Sequence, residues 1–169
     1  DVDTQLRKDI ALHCCGGFVV AHVYGVARTT NDVDYLSVVP DVWNPLTEIA
    51  GKGSALHRKP KVFLDAVTIV TPPENYADRR KPLFPGAWTH LRFFALEAHD
   101  LALTKLERNS DKDRQDVQRL AQAGYLRRDV LKTRYFSEHR PNLTAHEDRH
   151  DLTLELWLEA YWPEEGAGR

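Results

Sequence analysis

The stretch of sequence that decides the fold is GGFVVAHVYGVARTTNDVDY, residues 16–35. It begins with a glycine pair, continues through an apolar segment and an arginine, and ends in a D-x-D pair formed by Asp32 and Asp34. The apolar run that follows predicts a strand, and side chains two residues apart on a strand point to the same face. The two carboxylates would therefore project together, and a divalent cation would relieve their mutual repulsion.

The residues on either side of the glycine pair predict a strand that hands over to a helix. IALHCC, residues 10–15, predicts a short buried strand. The β-branched residues of FVVAHVYG, residues 18–25, would also fit a strand, but the glycines at its start and at Gly25 favour a helix. Backbone N–H groups at the Gly16–Gly17 bend would then be placed to bind a phosphate. The alternative interpretation is a plain tight turn. Carboxylates for a metal ion beside a phosphate-binding bend are typical of phosphoryl or nucleotidyl transfer.

The remainder of the chain predicts an α+β fold. Further strands are predicted at 33–39, 61–70 and 91–96, and short helices at 46–51 and 74–80. Beyond residue 97 the pattern becomes helical, with predicted helices at 99–108, 111–123 and 127–139. A capping box from Thr144 to Glu147 predicts the start of a long final helix that ends at about Tyr161. We therefore expect an α/β core over residues 1–97 and a C-terminal helical region, residues 98–169, packed on it.

The charge and hydropathy of the 169-residue chain exclude some classes of protein. A net charge of −2 does not indicate a protein that coats nucleic acid, and the sequence contains no apolar run long enough to cross a membrane. Residues 51–92 nevertheless carry eight basic and three acidic side chains. This basic segment would either border a site for a polyanionic substrate or form a solvated surface.

The two cysteines of the chain, Cys14 and Cys15, are adjacent in a predicted strand. Neighbouring strand side chains point to opposite faces, so we expect no disulfide between them. Two reduced thiols favour a reducing compartment, and the expected location is the cytoplasm.

Two motifs resemble the nucleotidyltransferase superfamily, whose fold is shared with DNA polymerase beta. Gly16-Gly17, Asp32-Val33-Asp34 and Asp65 resemble its active-site signature, and Gly17 stands where many members have a serine. HDLALTKLERNSDKDRQDVQRL, residues 99–120, resembles the D-L-x-x-x-K-L…K-D-x-x-D segment of small bacterial nucleotidyltransferase-like proteins and of relatives of AbiEii-type toxins. The resemblance implies a small mixed β-sheet flanked by helices.

The resemblance also implies a metal site formed by three carboxylates. Asp32, Asp34 and Asp65 would hold Mg²⁺, with Mn²⁺ as the alternative ion, and Asp65 would share the metal or accept the proton of the attacking hydroxyl. In the alternative interpretation, the D-x-D pair only caps a strand after a polar turn. Asp65 would then be a charge on an edge strand that faces water.

The implied nucleotide-binding residues come from both halves of the chain and are Gly16, Gly17, Arg28, Thr30 and Lys105. Arg28 would contact a phosphate or pair with Asp34 or another carboxylate. Lys105 would bind a phosphate or extend along a helix edge to solvent. Three charged residues on the next helix, Asp113, Arg114 and Asp116, would orient Lys105 or form a solvated helix face.

The activity implied by the resemblance is a metal-dependent transfer of a nucleoside monophosphate from a nucleoside triphosphate (NTP) to a hydroxyl acceptor. That acceptor would be a protein, an RNA or a small molecule, although the net charge does not indicate nucleic acid. A bacterial toxin–antitoxin component with a cognate partner protein would fit the family. The alternatives are a catalytically weak or inactive binding or antitoxin-like module, and a metal-dependent nuclease.

Overall fold

The computed structural model describes residues 2–36, 43–58, 61–67 and 70–163. These residues form two compact units: the first from Asp1–Ile69 and Asp78–Glu97, the second from Val70–Ala77 and Ala98–Arg169. The longer segment of the second unit begins at Ala98, one residue after the predicted end of the α/β core. The second unit also takes in Val70–Ala77, which the sequence analysis assigned to that core.

A five-stranded mixed sheet forms the centre of the first unit. Its strands are β1 (Ile10–Cys14), β2 (Asp32–Leu36), β3 (Phe63–Val67), β4 (Lys81–Leu83) and β5 (Leu91–Ala95). Their order in the sheet is β3-β2-β1-β5-β4. β1 is antiparallel to β2 and parallel to β5, β2 is parallel to β3, and β4 is antiparallel to β5. The predicted α+β fold with a small mixed sheet is confirmed.

Helices accompany the sheet and fill the second unit. They are α1 (Gly16–His22), α2 (Trp43–Ala50), α3 (Ala55–Arg58), α4 (Tyr76–Arg79), α5 (Ala98–Leu106), α6 (Asp111–Gln122), α7 (Arg128–Arg134) and α8 (Glu147–Tyr161). α1 packs against β2, and α2 packs against β3. Among the described residues, no helix combines the length and the apolar character needed to pass through a bilayer.

The sheet has one buried face and one face that carries polar groups. Tyr35 and Cys14 pair in register on the buried face, where the Tyr35 side chain hydrogen-bonds Thr47 of α2. Asp32 and Asp34 alternate with these buried positions and remain half-buried on the opposite face. Cys14 and Cys15 are both buried, and within the described residues they form no disulfide.

Strand β4 was not predicted, and each of the four predicted strands differs from the observed strand at one or both ends. β4 has only three residues and contains Pro82, which cannot donate to a neighbouring strand, so sequence patterns do not favour a strand there. Residues 37–39 and 68–69, predicted to be strand, lie outside the described residues. β3 begins at Phe63 rather than residue 61.

The last helix does not begin at its predicted capping residue, Thr144. α8 begins at Glu147 after His146, which has a left-handed backbone (φ 61°) and makes no side-chain cap. The predicted capping box from Thr144 is therefore absent at this start. By contrast, Ser110 caps α6 in a complete capping box with Asp113.

The segment Val70–Ala77 is attached to the second unit by its backbone. The Thr71 N–H donates to Glu107 Oε1 at 2.7 Å, and the Glu74 N–H donates to the Glu138 carbonyl at 3.0 Å. The chain therefore enters the second unit, returns to the first for β4 and β5, and enters the second again at Ala98.

The predicted helix at 127–139 changes its geometry halfway. α7 is followed by a π-helical stretch, Tyr135–His139. The last residue of this stretch, His139, is completely buried. Within residues 2–36, 43–58, 61–67 and 70–163, neither ring nitrogen of His139 has a hydrogen-bond partner. Burial, reinforced by the charge of His150, lowers the pKa of His139 to about 4, so the ring is neutral at pH 7.

This buried ring predicts a loss of stability in mild acid. The unfolded chain binds a proton at an ordinary histidine pKa near 6.5, whereas folded His139 does so only near 4, so the free energy of unfolding falls as pH drops between these values. The full contribution is roughly 3 kcal/mol. Urea unfolding at pH 7, 5.5 and 4.5 should show a shallower decline for His139→Leu than for the wild type.

His22→Leu provides the control, because His22 is an exposed histidine of the first unit. This variant should keep the pH dependence of the wild type. Equal slopes for the wild type and His139→Leu would contradict the assignment.

Candidate active site

The parallel pairing of β2 with β3 places three carboxylates on one face of the sheet. Asp34 pairs in register with Asp65, and Asp32 precedes Asp34 by two residues. Register partners on parallel strands lie side by side, and residues two apart share a face. The first unit therefore brings together the three acidic residues that the sequence analysis singled out.

The three carboxylates share a face without enclosing an ion. Asp65 is exposed on β3, which is the edge strand of the sheet among the described residues, while Asp32 and Asp34 are half-buried. In the part of the chain that the structure describes, no three His, Cys, Asp or Glu side chains are placed to hold a metal ion together. The position of Asp65 also fits the alternative of an edge-strand charge that faces water.

The polar turn before β2 holds the first carboxylate. The Thr30 hydroxyl donates a hydrogen bond to Asp32 Oδ1. The next residue, Asn31, accepts a hydrogen bond through its carbonyl from the Phe63 N–H at 3.1 Å, which fixes the turn to the start of β3. Thr30 thus contacts a predicted metal ligand, and its binding of phosphate stays a prediction.

The second carboxylate lies directly against the first glycine of the bend. Gly16 has φ +65°, and a Cβ atom at this position would overlap the Asp34 carboxylate. The Cys15 N–H donates to the Asp34 carbonyl at 2.9 Å and fixes the end of β1 against β2. A glycine is therefore required here by backbone conformation and by the approach of the carboxylate.

The absence of a side chain at Gly17 likewise leaves room for the Arg28 guanidinium. A Cβ atom on Gly17 would lie 2.5 Å from Arg28 Cζ and 2.6 Å from Arg28 Nε. The glycine pair thus places one carboxylate and one guanidinium against consecutive residues at the start of α1. The Arg28 guanidinium therefore lies beside the glycine bend, and its binding of phosphate stays a prediction.

A histidine and an arginine on the acidic face were missed by the sequence analysis. His13 pairs in register with Leu36 and with Phe94, so it shares the face of Asp34. Arg80 Nη1 donates to His13 Nε2 at 2.5 Å. The signals in the sequence were a histidine inside an apolar strand and an arginine in the basic segment.

Lys105 lies in the second unit, in a buried group of charges. It is only 3% exposed, and its Nζ is 2.9 Å from Asp116 Oδ2 and 3.5 Å from Asp113 Oδ1. Burial would raise the pKa of Asp113, but hydrogen bonds from Arg108 and Ser110 and the charge of Lys105 lower it to about 2. Lys105 therefore does not extend to solvent, and its role in binding phosphate stays a prediction.

The solvated-face interpretation of α6 is wrong for two of its three residues. Asp113 and Asp116 are buried beside Lys105, as the orienting interpretation expects. Arg114 is exposed and pairs with Asp111 on the same helix. The acidic residues thus neutralise a buried lysine, and only Arg114 belongs to the solvated face.

Comparison with known proteins places nearly the whole chain in one family. A family model described as "Nucleotidyltransferase of unknown function (DUF6036)" matches residues 4–162. The predicted resemblance to the nucleotidyltransferase superfamily is confirmed, while the resemblance to AbiEii-type toxins stays a prediction. No curated protein and no solved structure matches the chain.

The contact between Gly16 and Asp34 predicts an unequal pair of glycine variants. Gly16 and Gly25 have nearly the same φ, +65° and +64°, but a Cβ on Gly25 would meet nothing within 4 Å. Alanine at either position carries the left-handed backbone cost of about 1 kcal/mol, whereas Gly16→Ala also displaces the carboxylate, which costs roughly 1–3 kcal/mol more. Urea unfolding of both variants measures this difference, and equal losses would contradict the contact.

The buried charges around Lys105 predict a large loss of stability when the lysine is replaced. Lys105→Met leaves Asp113 and Asp116 without their shared cation, and we expect the free energy of unfolding to fall by about 3–5 kcal/mol. Lys112→Met, an exposed change on the same helix as the two acids, should cost less than about 0.5 kcal/mol. Similar losses in both variants would show that the buried pairs contribute little.

Proposed function

This chain belongs to the DUF6036 family of nucleotidyltransferases, and we propose that it transfers a nucleoside monophosphate from an NTP to a hydroxyl acceptor. The observation that carries the proposal is the register pair Asp34–Asp65, with the Asp34 carboxylate against Gly16 at the start of α1. Acidic groups and a glycine bend meet there on one partly exposed sheet face. These groups fit a site for a metal-bound polyphosphate.

The residues present fit Mg²⁺, with Mn²⁺ as the alternative. All the side-chain donors of Asp32, Asp34 and Asp65 are hard carboxylate oxygens, which these ions prefer. Mg²⁺ is usually held by one or two carboxylates together with substrate phosphates, rather than by a cage of protein groups. An acidic face that does not enclose an ion by itself is therefore compatible with Mg²⁺ that arrives with the nucleotide.

We propose the following roles for the residues of the site. When bound, the ion would neutralise charge on the phosphates and favour the ionised form of the attacking hydroxyl. Asp65 accepts the proton of that hydroxyl, whose oxygen forms a bond to the α-phosphorus while the bond to the β-phosphate oxygen breaks and pyrophosphate leaves. Arg28, Thr30 and the backbone at the Gly16–Gly17 bend bind the phosphates.

The acceptor and the biological setting are proposed from the resemblance. The acceptor hydroxyl belongs to a protein side chain, an RNA 3′ end or a small molecule, and the enzyme acts as a bacterial toxin–antitoxin component with a cognate partner protein. Two buried cysteines outside any disulfide of the described residues fit a reducing compartment, and we place the protein in the cytoplasm.

A second candidate function is a binding or antitoxin-like module with little or no catalysis. The observation that favours it is the exposure of Asp65 on the edge strand of the described sheet. An exposed carboxylate on an edge strand is less firmly held for proton transfer than a buried one. Under this alternative, the glycine bend and Asp34 persist as parts of the fold.

The test combines ligand binding with product release. Because the carboxylates need phosphate oxygens to complete a metal site, Mg²⁺ alone should bind weakly, while Mg²⁺ with an NTP should raise Tm and give a calorimetric binding curve. A screen of protein, RNA and small-molecule acceptors then measures pyrophosphate release. Asp34→Asn should lower that release roughly a hundredfold or more.

Asp78→Asn is the matched control, because Asp78 is an exposed aspartate of the same unit. It should retain both binding and pyrophosphate release. NTP binding without pyrophosphate release for any acceptor would favour the binding module. Nucleic acid cleavage without an NTP requirement would instead support the nuclease alternative.

A further inference from the structure

Arg80 is a half-buried arginine that is fixed in place by two uncharged groups. Its Nη1 donates to His13 Nε2 at 2.5 Å, and its Cζ lies 4.5 Å from the centre of the Phe94 ring. The Phe94 ring meets the His13 ring edge to face, with centroids 5.9 Å apart. A hydrogen bond and a stacking contact together define both the position and the plane of the guanidinium.

Among the described residues, the neighbours of Arg80 do not neutralise its charge. Burial, together with the nearby Arg80 guanidinium, lowers the pKa of His13 to about 4, so His13 is neutral at pH 7 and accepts the hydrogen bond through Nε2. Phe94 carries no charge. Within the described ranges, no carboxylate lies at ion-pairing distance from the Arg80 guanidinium. A half-buried cation with only neutral partners favours an anionic ligand.

Arg80 lies over the same sheet face as the three carboxylates. His13 pairs with Leu36, and Leu36 follows Asp34 by two residues on β2. His13 and Asp34 are therefore diagonal neighbours on one face, a relation that corresponds to about 7–8 Å between backbones. The guanidinium that contacts His13 thus stands within the reach of a polyphosphate held at Asp34.

We propose that Arg80 binds the polyphosphate chain of the nucleotide, held in position by His13 and Phe94. The inference rests on the proposed nucleotidyltransfer and assigns to it a phosphate-binding residue from the basic segment. A guanidinium offers five N–H donors in a plane and binds phosphate oxygens in pairs. On a face with three carboxylates, such a cation also limits the repulsion that these groups exert on a polyphosphate.

His13 has a positioning role in this arrangement. The neutral His13 imidazole accepts a hydrogen bond that directs one edge of the Arg80 guanidinium toward β1. Because the imidazole carries no charge, it does not neutralise the positive charge of Arg80. An acidic residue at this position would also accept the hydrogen bond, but it would neutralise the cation and weaken its attraction for phosphate. The buried histidine on β1 is thus explained by its need to accept a hydrogen bond without carrying a charge.

The experiment measures the affinity of the full chain for Mg²⁺ with ATP, Mg²⁺ with inorganic tripolyphosphate, and adenosine. Arg80→Gln should weaken binding of ATP and tripolyphosphate by about ten- to a hundredfold, the range expected for a lost charge-assisted hydrogen bond. The affinity for adenosine should not change. Arg80→Lys keeps the charge without the planar donors, and we expect an intermediate loss.

Arg92→Gln is the matched control. Arg92 pairs in register with Ala11 on the same sheet face, but it is exposed and lies near Asp9. The Arg92→Gln variant loses the same positive charge as Arg80→Gln and should keep the wild-type affinities for ATP and tripolyphosphate. Circular dichroism and Tm of each variant establish that it is folded.

The outcomes separate this inference from the proposed function. If the wild type binds ATP and tripolyphosphate, but folded Arg80→Gln and Arg80→Lys bind them equally well, the inference is overturned and the proposed function stands. If the wild type binds no NTP, the proposed function fails and the inference fails with it. Equal weakening by Arg92→Gln would assign the effect to general charge and overturn the role of Arg80.

Two variants of His13 test its positioning role. His13→Gln keeps a neutral acceptor and should retain the tripolyphosphate affinity, whereas His13→Leu removes the acceptor and should weaken it severalfold. A merely structural histidine would predict the opposite order, because leucine is the better tolerated side chain at a buried site. Equal affinities for the two folded variants would overturn the role of His13.

Discussion

The organisation of the first unit depends on the contact between the Asp34 carboxylate and the backbone of Gly16. A Cβ atom at Gly16 would overlap the Asp34 carboxylate, so only glycine lets that side chain lie against the start of α1. The parallel register of β2 with β3 then sets Asp65 beside Asp34. A single steric requirement thus connects the bend, the central strands and the acidic face.

The charged side chains of the two units differ in their burial and in their partners. In the second unit, buried acids are matched within the fold: Lys105 lies between Asp113 and Asp116, and Arg134 Nη1 is 2.9 Å from Asp100 Oδ1. In the first unit, the acids lie on a half-open sheet face, and Arg80 has neutral partners. Matched buried charges serve the fold, whereas a half-buried cation whose described partners are neutral is typical of a ligand site.

The sequence was sufficient for the elements that follow simple periodic patterns. Alternation and β-branched residues located β1, β2, β3 and β5, and the Ser110 cap located α6, because these signals are local. Local signals could not reveal β4, whose three residues pair only because β5 is already present. They also could not place Arg80 against His13, 67 residues away in the chain, since that contact depends on the order of the strands.

The route of the chain has a consequence for how the protein can be made and divided. Because Val70–Ala77 belongs to the second unit while β4 and β5 return to the first, neither unit is a continuous piece of sequence. During synthesis on the ribosome, β1 cannot acquire its parallel neighbour until residue 95 has emerged. A cut between residues 97 and 98 would leave Val70–Ala77 on the N-terminal fragment, separated from the rest of the second unit. The C-terminal fragment would then lack the backbone N–H donors of Thr71 and Glu74. The two halves are therefore interdependent in folding, and separate expression of either one is disfavoured by topology.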